Sequence, residues 1–512
     1  MGESTSHVDK TWCGLKTAEV SDKIQAFPTS MMTSAKLGIA DSDQLCPRVT
    51  IDALPDNVLL ETFDFYLGKD DTIGINYNHS YDGWQMLVHV CHRWRCVVFA
   101  SPRRLDLKLY CTRQRSVSSR TLGIWPALPT VIDVWEMQSK EDVANVIATL
   151  RQHNRVCKIY YYHWQSQDFL LEEFAAMNEP FPMLTSLKLF SSGQNVPVLP
   201  NSFLGGSAPR LRLLDLKGIP FPSIAKLLSS TTNLVRLSLW DIPRSGYIAP
   251  ETIIPCLSML PRLESLTLGF KYPRSHAHRA SRHPPPLTRL ILLNLTFFGF
   301  RGEVEYLEDI LSQIETPILN RSDFCFFNQL VFDSPLLGNF IRRTETFMTL
   351  HAVRVELFSW AVVVTLWGRE EIANNHWDAL RLEINCKPLD WQLSALSQVL
   401  QSFLSSFTTL EHLKIIVSRK DWQGQVEAIQ WREFFRPFTS VKKIALARED
   451  SVRLVASGLQ YLTGEGATGV LPALQSPFLM AYGWQPVGPA KEAIEQFIAT
   501  RQLYGRPVTI HY

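Results

Sequence analysis

Four stretches of this chain concentrate side chains able to do chemistry. Tyr272–Pro286 (YPRSHAHRASRHPPP) holds His276, His278 and His283 among three arginines, and imidazole nitrogens suit zinc. No cysteine or carboxylate lies inside that stretch, and three prolines close it. Its composition fits a solvated loop that offers a basic contact to an acidic partner. Cys91 and Cys96 flank His92-Arg93-Trp94-Arg95. On one helix, residues five apart point to different faces, so Cys91 is expected in a core and not in a metal pair. Arg103, Arg104, Arg113, Arg115 and Arg120 form a basic run with only Tyr110 among them. A nucleic-acid surface needs interleaved aromatics for stacking, so this run reads as a solvated rim. Gly464-Glu465-Gly466-Ala467-Thr468-Gly469 lacks the lysine and the following helix signal of a phosphate loop and reads as a surface turn.

No catalytic apparatus stands beside these. The chain has no G-x-S-x-G, H-E-x-x-H or G-x-x-x-x-G-K-[ST], and no G-x-G-x-x-G that opens a helix. We expect a protein that is not an enzyme and takes no cofactor or metal. Its 51 basic and 49 acidic residues leave a formal charge of +2, with 46% hydrophobic residues. That is globular composition, and it argues against a dedicated nucleic-acid binder. No run approaches the roughly 18 apolar residues of a membrane span, and the start lacks the apolar segment of a secretory signal. The nine cysteines include no C-x-x-C pair, which fits free thiols in a reducing compartment. The expected location is cytoplasmic, nuclear or both, with no membrane partner.

Stepwise changes of pattern set out the elements. Residues 1–47 show no periodicity and are expected to be a disordered arm. Pro55 and Asp56 suit the first turn of a helix whose apolar face is Val58, Leu59, Phe63, Tyr66 and Leu67. After a polar loop at 68–83, a second helix is expected from Trp84, Leu87, Val88, Cys91, Trp94, Arg95 and Val98. Beyond residue 103 the pattern turns to strands and then to a repeat. L-x-x-L-x-L begins at Leu184, Leu211, Leu234, Leu263 and Leu287, with looser copies from Phe327, Leu350, Trp377, Leu410 and Val441. The starts lie 23 to 40 residues apart, mostly in or just above the spacing of leucine-rich repeats. Helical patterns lie between copies, the clearest being Leu393, Leu396, Val399, Leu400, Phe403, Leu404 and Phe407. About ten parallel strands on one face with helices on the other is the α/β architecture this implies. The turn position that usually carries Asn or Cys holds Ser192, Ile219, Ile242, Lys271 and Leu295 instead.

Leu54-Pro55-x-x-Val58-Leu59, then Phe63, then Val90-Cys91-His92-Arg93-Trp94-Arg95 resembles the F-box motif. The remainder resembles the fungal (mushroom-type) F-box proteins with degenerate leucine-rich repeats. Matching features include Ser101-Pro102-Arg103-Arg104-Leu105, Trp125-Pro126-Ala127-Leu128-Pro129 and Tyr306-Leu307-Glu308-Asp309. The resemblance implies a small all-helical F-box module at 48–102 and an irregular leucine-rich-repeat horseshoe at 103–512. It also implies a function: the substrate-recognition subunit of a Skp-cullin-F-box ubiquitin ligase. Leu54, Pro55, Val58, Leu59, Phe63, Val90, Cys91 and Trp94 would then contact a Skp-family adaptor or form the small core behind that contact. The adaptor connects to a cullin-RING ligase, and the repeats would bind a protein substrate. Thr62, where the motif usually has Ile, and the long 68–83 loop motivate an alternative: a non-catalytic interaction scaffold with a vestigial F-box.

Overall fold

The computed structural model describes residues 51–67, 83–112, 128–135, 140–163, 170–193, 196–273, 288–329, 332, 334–368, 379–404, 407, 409–418, 427–446, 448–460, 469–475, 478–480, 488–508 and 510–511. The expected arm at 1–47, the three loop histidines, Arg113, Arg115, Arg120 and nearly all of the 464–469 turn lie outside them. Among the described residues, no helix is long and apolar enough to cross a membrane. Contacts divide the chain into two compact units, Met1–Thr62 and Phe63–Tyr512. What is described of the first is the 3-10 turn Ile51–Ala53 and the opening of helix α1 (Asp56–Leu67).

The second unit begins with helices α2 (Gly83–Val90) and α3 (His92–Ala100). The single helix expected across Trp84 to Val98 is therefore two. At Cys91 the backbone is extended (φ −155°, ψ 171°), and its Sγ accepts from the Trp94 amide at 3.4 Å as an N-cap. Cys91 is half-buried and its thiol satisfies one orphan amide of a helix start, so the expectation of a core cysteine is corrected. On α3 the buried residues are Val97 and Val98, and Arg95, part of the expected face, is exposed. Trp84 closes the base of the hairpin, donating from Nε1 to the Lys108 carbonyl at 3.0 Å.

Among the described residues, sixteen strands form one sheet. The first run comprises β1 (Leu109–Cys111), β2 (Thr130–Trp135), β3 (Val156–His163), β4 (Ser186–Ser191) and β5 (Leu213–Lys217). Next come β6 (Arg236–Ile242), β7 (Ser265–Phe270), β9 (Phe297–Gly302) and β11 (Arg321–Phe326), with the short β8 (Leu290–Ile291) and β10 (Ile314–Glu315) paired apart from the sheet. The last seven are β12 (Ala352–Leu357), β13 (Val362–Trp367), β14 (Leu380–Ile384), β15 (His412–Val417), β16 (Lys443–Leu446), β17 (Phe478–Met480) and β18 (Ile510–His511). One buried apolar position of each strand lines up across the sheet from β2 to β16. Val134, Tyr161, Leu189, Leu216, Leu239, Leu268, Phe300, Phe324, Leu382, Val364, Val355, Ile415 and Leu446 are register partners in succession. Each is at most 3% exposed, so this ladder is the spine of the core. Helices between the strands stack on their predecessors. Leu389–Phe403 packs on Pro335–Arg343 and on Ala428–Phe435, and it buries Leu393, Leu396, Val399 and Leu400 at helical spacing.

Three expectations change. Leu290 of the Leu287 hexad falls on β8, paired apart from the sheet, Leu287 itself lies outside the described residues, and the repeat aligned within the sheet is Leu295-x-x-Phe298-x-Phe300. Phe327 lies just past β11 and Leu330 outside the described residues, and Leu319-x-x-Ser322-x-Phe324 is the repeat, with all three residues buried. The strands are also not all parallel. The sheet order runs β11-β14-β13-β12-β15, and β13 is antiparallel to both neighbours. β12 and β14 keep the common direction against β15 and β11, so β13 fills the gap between them in reverse.

Candidate functional site

The sheet's other face is half-buried and carries the side chains that alternate with the spine. Near its start, Trp135 stacks on Tyr162 (centroids 3.8 Å apart, 16° between planes), and Tyr162 meets Phe190 edge-on at 4.6 Å. Lys188 lies 5.1 Å above the Tyr160 ring. Farther along, arginines and carboxylates take over. Arg381 on β14 bonds Asp323 on β11 at 2.9 Å and also bonds Glu383. Burial pulls the Arg381 pKa down, but the two carboxylates outweigh it and hold the guanidinium above its ordinary value. Arg354 on β12 lies 3.8 Å from Glu356 and 5.6 Å from the Trp367 ring centre. Aromatic rings and arginines are the side-chain types that interface hot spots favour.

One glycine shapes the middle of this face. Gly269 on β7 sits between β6 and β9, and a Cβ there would meet the Trp240 ring at 2.6 Å. The missing side chain leaves room for the Trp240 ring over β7, and Arg301 of β9 reaches Asp241 of β6 at 2.9 Å. Arg301 also lies 6.0 Å from the Trp240 ring centre and 5.9 Å from that of Phe327. Past the strand ends, Tyr247, Phe270 and Tyr306 line an apolar cavity of about 260 Å³, rimmed by Tyr272 and Pro273. Those two are the described start of the His/Arg stretch, and Tyr272 is exposed.

The eight motif residues separate by exposure. Leu59 and Phe63 are buried; Leu54, Cys91 and Trp94 are half-buried; Pro55, Val58 and Val90 are exposed. Within the second unit, Phe63 and Trp94 pack ring to ring at 4.7 Å. Phe65, Tyr66, Met86 and Val90 stand in solvent at 87%, 58%, 41% and 51% exposure. The first three were not among the candidate residues, because the helix period assigned Tyr66 to a core and left Phe65 and Met86 without a role.

Buried thiols are quiet. Burial raises the pKa of Cys157 and Cys256 and, with Glu383 adding to it, pushes Cys325 up to about 12. Asp215, on the open face, is also pushed up by burial, against a hydrogen bond from Ser238 and the charges of Lys188, Arg236 and Lys217. Among the described residues, His351, Glu411 and His412 are the group whose ligating atoms lie close enough to hold a metal. Sequence reading missed them because they come from two repeats.

No protein-family model matches the chain, and no curated protein matches it. Among solved structures, the leucine-rich repeat-containing protein LegL7 from Legionella pneumophila is similar at 13% identity. That likeness covers 66% of this chain and 97% of LegL7, with a TM-score of 0.28.

Proposed function

We propose that this chain is the substrate-recognition subunit of a Skp-cullin-F-box ubiquitin ligase in the cytosol or nucleus. Its N-terminal helices dock a Skp-family adaptor, and its open strand face holds a protein substrate. Such a subunit acts by proximity, raising the local concentration of substrate beside the transfer machinery. The observation that carries the reading is the apolar surface of α1 and α2. Two short helices within the motif region leave Phe65, Tyr66, Met86 and Val90 in water, a feature that marks interaction sites. Among the motif residues, exposed Pro55, Val58 and Val90 suit the contact, whereas buried Leu59 and Phe63 suit the core behind it. Leu54, Cys91 and Trp94, half-buried, suit its edge.

Reconstitution tests this. The chain co-expressed with a Skp-family adaptor and a cullin-RING pair should capture partners whose ubiquitylation depends on the chain. Trp135→Ala with Tyr162→Ala should reduce that capture while adaptor binding stays intact. Capture that ignores the strand-face substitutions would overturn the substrate assignment. Thr62, whose hydroxyl bonds the Val58 carbonyl at 2.9 Å inside α1, favours the scaffold reading. Adaptor binding with no effect on any partner's ubiquitylation is its expected result.

A further inference from the structure

We propose that His351, Glu411 and His412 form a site for a divalent cation of the zinc class, which fastens β12 to β15. The repeat register brings the three together. His351 follows Leu350 as Glu411 follows Leu410, and the two strands run parallel with Ala352 opposite His412. The Glu411 amide donates to the His351 carbonyl at 2.9 Å, so the ligands stand on adjoining, hydrogen-bonded backbone.

The His351 side chain is only 9% exposed, and its Nδ1 lies 3.0 Å from the Thr409 carbonyl oxygen. A carbonyl only accepts, so Nδ1 donates to it, and Nε2 is the ring nitrogen that faces Glu411. A backbone carbonyl that fixes the tautomer in this way is the usual outer support of a metal-bound histidine. Nε2 lies 3.6 Å from Glu411 Oε2. That is too long for a hydrogen bond. It is close to the roughly 3.4 Å between two ligands of a tetrahedral zinc ion with bonds of about 2.0–2.2 Å. Lys442 Nζ holds the other carboxylate oxygen, Oε1, at 2.7 Å and so turns Oε2 toward the histidine. The His412 ring completes the set, its centroid 5.0 Å from that of His351, and all three ligating atoms lie within 4.8 Å of one another. The longest of these spacings closes to a zinc geometry by a shift of about 1.4 Å, within reach of a side-chain rotation.

Two imidazoles and one carboxylate select zinc over calcium or magnesium, which take oxygen ligands. Three protein ligands leave a fourth position for water. The site joins repeats at the place where the sheet order is reversed, with β13 antiparallel on the far side of β12. A cation there ties segments 60 residues apart in the chain and binds the folded state selectively.

The test uses the full chain with His276, His278 and His283 changed to Gln, so that the loop histidines do not compete. Zinc is titrated against a chromophoric chelator, and thermal denaturation is followed with zinc and with chelator. The expected result is one zinc ion per chain that His351→Gln with His412→Gln loses, at least tenfold weaker binding in Glu411→Gln, and a midpoint that zinc raises only when the ligands are intact. His412→Gln alone, at a half-exposed position, gives the same reading if the double variant fails to fold. Equal zinc binding and equal midpoint shifts in parent and variants would overturn the proposal. So would a parent that binds no zinc, which would leave an ordinary His351–Glu411 ion pair.

Discussion

Arg301 and Asp241, 60 residues apart in the chain, meet at 2.9 Å across an intervening strand. The strand they cross is β7, whose Gly269 contributes no side chain, and Asp241 sits where the β6 register shifts, with a positive φ of 53°. Trp240, Asp241 and Arg301 form a single surface over Gly269.

Gly269→Ala is therefore expected to destabilise the fold by about 1–3 kcal/mol, the usual cost of overpacking. A Cβ there would stand 2.6 Å from the Trp240 ring. In a Trp240→Ala background the same substitution should cost much less. Denaturant midpoints of the four chains make the double-mutant cycle. Equal costs in both backgrounds would refute the close approach of Trp240 to Gly269.

The spine and the open face should differ in energetic weight. Phe300, fully buried within the spine, is expected to cost about 3–5 kcal/mol on substitution by Ala. Phe190, half-buried on the open face, should cost clearly less on the same change. Urea unfolding of the two variants decides the matter. A larger loss from Phe190→Ala would contradict the assignment of faces.

Asp215 supplies a pH dependence. Its pKa is raised in the fold, chiefly by burial, so the folded chain holds that proton more tightly than the unfolded one. Its contribution to stability is then fully present below the ordinary carboxylate pKa and is lost as pH rises through the raised value. Asp215→Asn should raise the thermal midpoint at neutral pH, and the gap should close as pH falls through the carboxylate range. A variant less stable than the parent at neutral pH would reverse the sign and refute this.

Thiol reactivity should follow burial. With a pKa of about 12, Cys325 exposes on the order of one thiolate in 10⁴–10⁵ near neutral pH. Cys96 is exposed. Among the described cysteines, peptide-resolved alkylation of the native chain should label Cys96 first and leave Cys325 unlabelled until unfolding. Early labelling of Cys325 would show that β11 opens locally.

Much of this fold was legible, and the gaps have physical reasons. Hexads written in leucine located β4, β5, β6 and β7. Phe298 and Phe300 fill the same positions with rings, and Ser322 fills one with a buried hydroxyl, so β9 and β11 did not match a leucine pattern. β13 is apolar on both faces and shows no alternation, which concealed both its direction and its place. The helix break at Cys91 was invisible because one apolar period spans it. The candidate metal group could have been found by aligning Leu350-His351 with Leu410-Glu411-His412, since parallel register sets those positions side by side. On the helices, the motif drew attention to Val58 and Val90. Nothing in the pattern marked Phe65, whose exposure follows from which side of α1 the tertiary fold covers.

The affinity of the chain for a Skp-family adaptor tests the central claim most directly. Calorimetry with purified adaptor should show a one-to-one complex that the double change Leu54→Ala, Pro55→Ala weakens at least tenfold, with the denaturation midpoint of the rest of the chain unchanged. Absence of a complex with the parent chain, or equal affinity for parent and double variant, would contradict the adaptor assignment.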